Sequence, residues 1–132
     1  MASYKLLTSK NHRLSHDGCT LFRVQYADGT LGGWIENERN LDQMGRCRVL
    51  NEAKVYGTSR VSDNAMVSDN AIVKDSAVSD NASVSGDATV VNKSRVWYNA
   101  CVCNNAYLNR VSLVENEIVL DNGVSVFAEL VA

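Results

Sequence analysis

An aliphatic residue returns at every sixth position through most of this 132-residue chain, and that period is the strongest constraint on its fold. The series is Val49, Val55, Val61, Val67, Val73, Val78, Val84, Val90, Val96, Val102, Leu108, Val114, Leu120 and Val126. Two positions before each of these residues lies a second, mostly small one, usually Ala or Ser. Because side chains two apart on a strand share a face, each short strand is predicted to turn both residues inward.

The residues between these positions are typical of turns. Asp-Asn pairs recur at 63–64, 69–70 and 80–81, and both residue types tolerate positive φ. A turn in every hexad excludes helices and long hairpins. It predicts a coil of very short strands, each paired with the strand one full coil away. The absence of proline suits uninterrupted ladders.

One step in the aliphatic series, from Val73 to Val78, is five residues instead of six. The sequence leaves two registers open at this point. Either Ser76 and Val78 face inward, or Ala77 continues the small series and Ser79 takes the aliphatic position. Both registers predict one irregular corner.

Residues 41–132 resemble the hexapeptide-repeat proteins, in which about three hexads make one triangular coil. The resemblance implies an all-β fold, a left-handed parallel β-helix of roughly four to five coils. It also implies a homotrimer, the common assembly of that family.

The first 40 residues are predicted to form a separate leader. The segments His16-Asp-Gly-Cys-Thr-Leu-Phe-Arg-Val-Gln25 and Leu31-Gly-Gly-Trp-Ile-Glu36 resemble the leader of a group of uncharacterised bacterial and bacteriophage hexapeptide-repeat proteins. Asp28-Gly29 is typical of a tight hairpin turn. We therefore expect residues 1–40 to form a small β-hairpin cap on the β-helix of residues 41–132. Trp34, Ile35 and Leu41 are expected to cover the first coil, whose core and strand edge are otherwise open.

Composition excludes several classes of function. A net charge of −2 is unlike a general nucleic-acid-binding surface. No apolar run is long enough to span a bilayer, and the N-terminus lacks the apolar core of a signal peptide. We therefore expect a cytoplasmic protein with no membrane partner and with its four cysteines reduced. The role of Cys101 and Cys103 beyond packing is left open.

Catalysis is not the favoured interpretation. Hexapeptide-repeat acyltransferases use a histidine as general base, and γ-type carbonic anhydrases hold their metal with histidines. This chain has two, His12 and His16, and both precede the first coil. Their spacing would suit a metal on a helix, but Gly18 and the strand after it indicate a loop. No catalytic residue, metal or cofactor is predicted, and an acyltransferase that uses His12 or His16 across a subunit boundary is kept as an alternative.

Folding three hexads into each coil predicts which outward residues lie in one column. Arg60, Ala77, Arg95 and Leu113 share one face, with Trp97 beside Arg95. Arg60 and Arg95 are two coils apart, which separates their stems by about 10 Å. Bidentate arginine contacts and ring stacking favour an anionic, ring-bearing ligand in this gap. The alternative is that both arginines pair with turn aspartates of neighbouring coils. The predicted ligand-binding residues are Arg60, Arg95, Trp97, Lys74 and Tyr56.

The outward positions also include many apolar residues toward the C-terminus, namely Val91, Trp97, Tyr98, Tyr107, Leu113, Val119 and Phe127. Contiguous exposed apolar surface indicates an interface, and a homotrimer is the natural partner assembly. The leading hypothesis is a non-enzymatic, homo-oligomeric binding protein of phage type that captures an anionic, nucleotide-like small molecule in clefts between subunits. The alternatives are a self-associating structural scaffold and an acyltransferase.

Overall fold

The computed structural model describes residues 4–110 and, beyond them, the backbone of the strands Ser112–Leu113 and Ser125–Val126. Val119 and Phe127 lie outside the described residues. The leader contains four strands: β1 (Tyr4–Leu7), β2 (Arg13–His16), β3 (Cys19–Tyr26) and β4 (Leu31–Ile35). Two short 3₁₀ helices, Lys10–His12 and Glu38–Asn40, follow β1 and β4.

The remaining strands are two or three residues long and wind into stacked coils. They are β5 (Arg48–Val49), β6 (Lys54–Tyr56), β7 (Arg60–Val61), β8 (Met66–Val67), β9 (Ile72–Lys74), β10 (Ala77–Val78), β11 (Ser83–Val84), β12 (Thr89–Val91), β13 (Arg95–Val96), β14 (Cys101–Val102), β15 (Tyr107–Asn109), β16 (Ser112–Leu113) and β17 (Ser125–Val126). Every strand from β8 onward that pairs with an earlier coil does so in parallel. The predicted all-β fold, a parallel β-helix, is confirmed. Its left-handed sense stays a prediction from the resemblance.

Three sheets form the sides of the solenoid. Sheet A runs β1-β3-β4-β6-β9-β12-β15-β17, with β2 paired to β3. Sheet B contains β7, β10, β13 and β16, and sheet C contains β5, β8, β11 and β14. Sheet A therefore joins the antiparallel leader to the parallel coils. The junction is the parallel pair of β4 and β6, in which Ile35 is opposite Val55.

The interior is filled as the period of six predicts. Within residues 47–108, each residue of the aliphatic series is fully buried, and each residue of the small series is buried. At the five-residue step, Ser76 and Val78 are buried while Ala77 and Ser79 are partly exposed, which decides the register. Each strand thus contributes one small and one aliphatic side chain to a continuous core.

The corners depend on residues with positive φ. Asn51, Asp63, Asp69 and Asp80 all have φ between 57° and 59°. Their side chains also bridge coils: Asp63 accepts a hydrogen bond from the backbone N–H of Asp80 at 3.1 Å, one coil further on. Asp and Asn therefore supply both the left-handed turn and a polar contact between coils.

The corner between sheets A and B differs from the other two because its small inward residue is serine. The hydroxyl of Ser59 donates to the carbonyl of Val73 and accepts from the N–H of Ser76, each at 3.1 Å. Ser76 in turn accepts from the N–H of Ser94 at 3.1 Å. A column of buried serine hydroxyls thus satisfies backbone groups at the corner that contains the five-residue step.

The leader seals the first coil mainly with tyrosines. Tyr26 is buried, and its hydroxyl donates to the carbonyl of Val49 at 2.8 Å and accepts from its N–H at 2.7 Å. Tyr4 packs edge-on against Tyr26 and donates to the carbonyl of Leu41. Burial raises the pKa of Tyr26 to about 12, so this phenol stays protonated near neutral pH. The expected hairpin between β3 and β4 is confirmed.

The expected capping residues divide into two groups. Ile35 and Leu41 are fully buried in the core, as predicted. The prediction for Trp34 was wrong, because Trp34 is in register with the outward-facing Lys54 and lies outside the core. Its ring lies 4.9 Å from the guanidinium of Arg23, and its indole N–H donates to Glu52 at 3.3 Å.

The two glycines of the Leu-Gly-Gly-Trp motif allow β4 to approach the first coil. A Cβ on Gly32 would lie 2.5 Å from both the ring of Tyr26 and the carbonyl oxygen of Val49. A Cβ on Gly33 would lie 2.6 Å from the carbonyl oxygen of Ala53. The motif is therefore explained by close packing of the leader against the coil.

Asn40 joins the leader to the coils. It is fully buried, and its amide donates to the carbonyls of Gly57 at 3.1 Å and Ser59 at 2.8 Å. Its side-chain oxygen accepts from the backbone N–H groups of Glu36 and Asn37. All four hydrogen bonds are to backbone groups. No other neutral side chain of this size can both donate two hydrogen bonds and accept two. The proposed division at residues 40 and 41 stays a prediction, and Leu41 already bridges in parallel to Val61.

We predict that Asn40→Ala lowers the free energy of unfolding by about 2–4 kcal/mol, because it leaves several buried backbone groups without partners. Urea denaturation followed by circular dichroism measures the change. Asn70→Ala is the matched control, since Asn70 is exposed in a corner, and its cost should be within about 0.5 kcal/mol. Equal costs for the two variants would contradict the role assigned to Asn40.

Candidate functional site

Three outward residues form a column on sheet B. Arg60 of β7 and Arg95 of β13 are both in register with Ala77 of β10, which lies between them. Since neighbouring strands are about 4.8 Å apart, the two arginine backbones are separated by about 10 Å. The small side chain of Ala77 leaves a gap between the two long ones. We call Arg60, Ala77, Arg95 and the adjacent Trp97 the arginine column.

Arg95 is held by an aromatic ring. Its guanidinium lies 4.3 Å from the centroid of the Trp97 ring, because residues two apart on a strand share a face. Arg95 is exposed, and in the described part of the chain no carboxylate forms an ion pair with it. Cation–π contact orients the group while its N–H edge stays able to donate.

Arg60 has a carboxylate partner. Its guanidinium lies 3.0 Å from Asp42 in the preceding turn, and its side chain is 62% exposed. A hydrogen bond from the backbone N–H of Met44, followed by the hydrogen bond and charge of Arg60, holds the pKa of Asp42 below its usual value. The predicted alternative, a turn aspartate on a neighbouring coil, therefore holds for Arg60, while Arg95 contacts Trp97. Exposed pairs of this kind contribute about 0–1 kcal/mol, so a ligand anion competes easily for Arg60.

Tyr56 and Lys74, the other two predicted ligand-binding residues, lie on sheet A. They are in register with each other, across the corner from the arginine column. The turn between the antiparallel strands β2 and β3, which we call the hairpin tip, reaches them. Asp17 in this turn lies 2.7 Å from the ammonium of Lys74 and accepts from the Tyr56 hydroxyl at 3.3 Å. The five predicted residues are thus divided between two faces, and a ligand role for Tyr56 and Lys74 stays a prediction.

The contact at the hairpin tip shifts three pKa values. A hydrogen bond from Lys74 and its charge lower the pKa of Asp17, and the same contacts raise that of Lys74. Burial, followed by the charge of Asp17, raises the pKa of Tyr56 to about 12. Near neutral pH the contact is therefore a carboxylate, an ammonium and a neutral phenol.

Two surface depressions flank this edge of the solenoid. A cleft of about 500 Å³ lies at the corner between sheets A and B, lined by Thr58, Asp75, Asn92, Lys93 and Arg110. A more open groove of about 560 Å³ lies on sheet A, lined by His16, Asp17, Tyr56, Ile72, Lys74, Thr89, Val91, Asn92 and Tyr107. Asn92 belongs to both. The sequence analysis missed the corner cleft, although Lys93 and Arg110 stand at turn positions where most other turns carry Asp, Asn or Gly.

The histidines lie in the leader. His12 ends a 3₁₀ helix with its Nδ1 2.8 Å from the hydroxyl of Ser9, and His16 ends β2 with its ring edge-on to Tyr56 at 5.4 Å. The expectation of a loop was therefore wrong for His16, which lies on a strand. Within the described residues, no group of three His, Cys, Asp or Glu side chains is placed to hold a metal ion.

The register of the outward columns follows the prediction at the described strands except at β16. Tyr98 is 54% exposed and Met66 is 40% exposed, whereas Trp97, Val91 and Tyr107 are partly buried. Leu113 was expected beside Arg95, but Ser112 is paired with Arg95 and Leu113 with Val96. The step from Leu108 to Leu113 is therefore five residues, one shorter than we predicted, and equals the five-residue step from Val73 to Val78.

Comparison with known proteins does not assign the chain to a family, because no family model and no curated protein matches it. None of the helices in the described part of the chain has the length and apolar character that a membrane crossing requires.

We predict that the hairpin-tip contact contributes stability only where Asp17 is ionised. The pKa of Asp17 is lowered in the folded state, so this contribution is present above the ordinary value of 3.8 and is lost as the pH falls through the lower folded value. Asp17→Asn should lower the melting temperature by a few degrees at pH 7, and the difference should shrink as the pH falls below 3.8. Thermal unfolding at pH 7 and at a series of values below 3.8 tests this, and a difference that stays constant in acid would refute the assignment to the Asp17 charge.

Proposed function

We propose that this chain is a non-enzymatic, homo-oligomeric binding protein that captures an anionic, ring-bearing ligand of nucleotide-like chemistry at the arginine column. The observation that carries the proposal is Arg95, whose guanidinium lies over the Trp97 ring at 4.3 Å and whose strand pairs in register with the small Ala77. A guanidinium donates to two oxygens of a phosphate or carboxylate at once. The indole beside it offers a face for stacking of a planar ring.

Arg60 supports the same ligand from the other side of the gap. Its contact with Asp42 is largely exposed, so replacing the carboxylate by a ligand anion costs little. The two arginine backbones are about 10 Å apart. This spacing suits a ligand with separated anionic and aromatic parts better than it suits a single small ion. The role of the column is therefore recognition of an extended molecule.

A homo-oligomer is supported because one protomer would contact the ligand from one side only. Ligand sites bury most of their ligand in a concave pocket, whereas one side of a solenoid is flat. The exposed ring of Tyr98 follows directly after Trp97, which extends apolar surface beside the column. A second copy packed against this edge would enclose the ligand, and the family resemblance favours three copies.

We propose a binding role without catalysis because of the residue types around the arginine column. In residues 4–110 both histidines lie in the leader, so the column has no imidazole base beside it. The leader resemblance further supports membership of the bacterial and bacteriophage hexapeptide-repeat group and a phage origin. A cytoplasmic location belongs to the same proposal.

A fluorescence titration tests the ligand site. In a Trp34→Phe background, Trp97 is the sole indole reporter, and AMP or ADP should change its emission because the ring stacks on it. Arg95→Ala in that background should weaken binding about tenfold or more, the loss of one charge-assisted bidentate contact. Arg13→Ala removes an exposed arginine from the leader and should leave binding unchanged.

Two outcomes would count against the proposal. One is that neither nucleotide changes the emission of Trp97 in the oligomer. The other is that Arg13→Ala weakens binding as much as Arg95→Ala, which would mean general charge attraction. An oligomer that assembles without binding either nucleotide would favour the structural scaffold.

A further inference from the structure

The corner between sheets A and B alternates in length along the solenoid. The turn contains residues 57–59 in the first coil, 75–76 in the second and 92–94 in the third, and two residues separate Asn109 from Ser112 in the fourth. The corner cleft of about 500 Å³ lies along these turns, and its lining includes at least one residue from each of the four.

Positive charge is concentrated at this corner. Between Val49 and Arg110, the turns at the other two corners contain no lysine or arginine, and they carry the acidic residues Glu52, Asp63, Asp69, Asp80 and Asp87. The cleft instead has Lys93 and Arg110, with Asp75 as its acidic residue. Its lining has a net positive charge on an otherwise acidic set of turns.

The two basic residues occupy backbone positions that do not suit them. Lys93 has φ of 67° and Arg110 has φ of 60°, a region that favours Gly, Asn and Asp. Among the non-glycine residues described with positive φ, the exceptions to Asn and Asp are Lys93, Arg110 and Tyr98. Strained backbone that a more suitable residue would relieve is characteristic of functional positions.

Side-chain contacts inside the cleft join its uncharged and acidic residues. One carboxylate oxygen of Asp75 accepts from the backbone N–H of Thr58 at 2.9 Å and from its hydroxyl at 3.3 Å. The amide of Asn92 donates to Asn109 at 3.1 Å. Over the described residues, neither Lys93 nor Arg110 forms an ion pair.

We propose that this corner cleft is a second anion site, separate from the arginine column, which binds a phosphate-class anion between Lys93 and Arg110. The planar guanidinium of Arg110 suits two oxygens of a tetrahedral anion, and the ammonium of Lys93 adds a point charge. The volume exceeds that of a single phosphate and suits a diphosphate or a small phosphorylated molecule.

Calorimetric titration of the full chain with inorganic pyrophosphate tests this site. Lys93→Gly and Arg110→Asn should each weaken binding at least tenfold. Because both substitutions place a more suitable residue at positive φ, their melting temperatures should equal or exceed that of the wild type. Lys10→Ala removes an exposed lysine from the leader and should bind pyrophosphate like the wild type.

The result distinguishes this site from the arginine column. Arg95→Ala should keep pyrophosphate binding while it loses the nucleotide response, and loss of both would place the anion at the column instead. A wild-type chain that does not bind pyrophosphate, or a Lys10→Ala variant that loses as much affinity as Lys93→Gly, overturns the proposal. A fall in melting temperature in Lys93→Gly would show that the strain argument is wrong.

Discussion

Each coil of this protein is held by backbone hydrogen bonds to the coil before it, and this parallel ladder is the constraint on which the other features depend. The ladder requires the same register in every coil, so inward positions repeat and accept only a small and an aliphatic residue. It also requires corners that turn sharply, which Asp, Asn and Gly at positive φ provide. The first coil needs a partner as well, and β4 supplies it by pairing with β6 in parallel.

The sequence predicts the interior well because the interior is periodic. The buried positions from Cys47 to Leu108 follow from counting in sixes, since one wrong step would turn every later aliphatic residue outward. The change of register at Leu113 was missed because Val111, Leu113 and Val114 are all apolar, so hydrophobicity alone allows either register there. Trp34 was misplaced because an aromatic residue at the end of a leader suits the core and the outer face equally.

Contacts between residues distant in sequence could not be predicted from the repeat. Lys74 and Tyr56 were predicted as ligand contacts from their outward positions, but the hairpin tip with Asp17 lies against both. No local pattern indicates which outward residues the leader covers. The register of Arg60, Ala77 and Arg95 was predictable from the repeat, whereas the cation–π contact of Arg95 and the pairing of Arg60 with Asp42 required coordinates. Val, Ala and Ser fill most of the interior of the described coils, so the function we propose is placed on the outer faces and corners, where the repeat tolerates variation.

We propose an oligomer that binds an anionic ligand on its outer surface, and native mass spectrometry of the gently purified full chain measures both properties in one spectrum. We predict an assembly of three chains with additional non-protein mass, released when salt concentration is raised because the contacts are ionic. A bare monomer over the whole accessible concentration range would contradict the account.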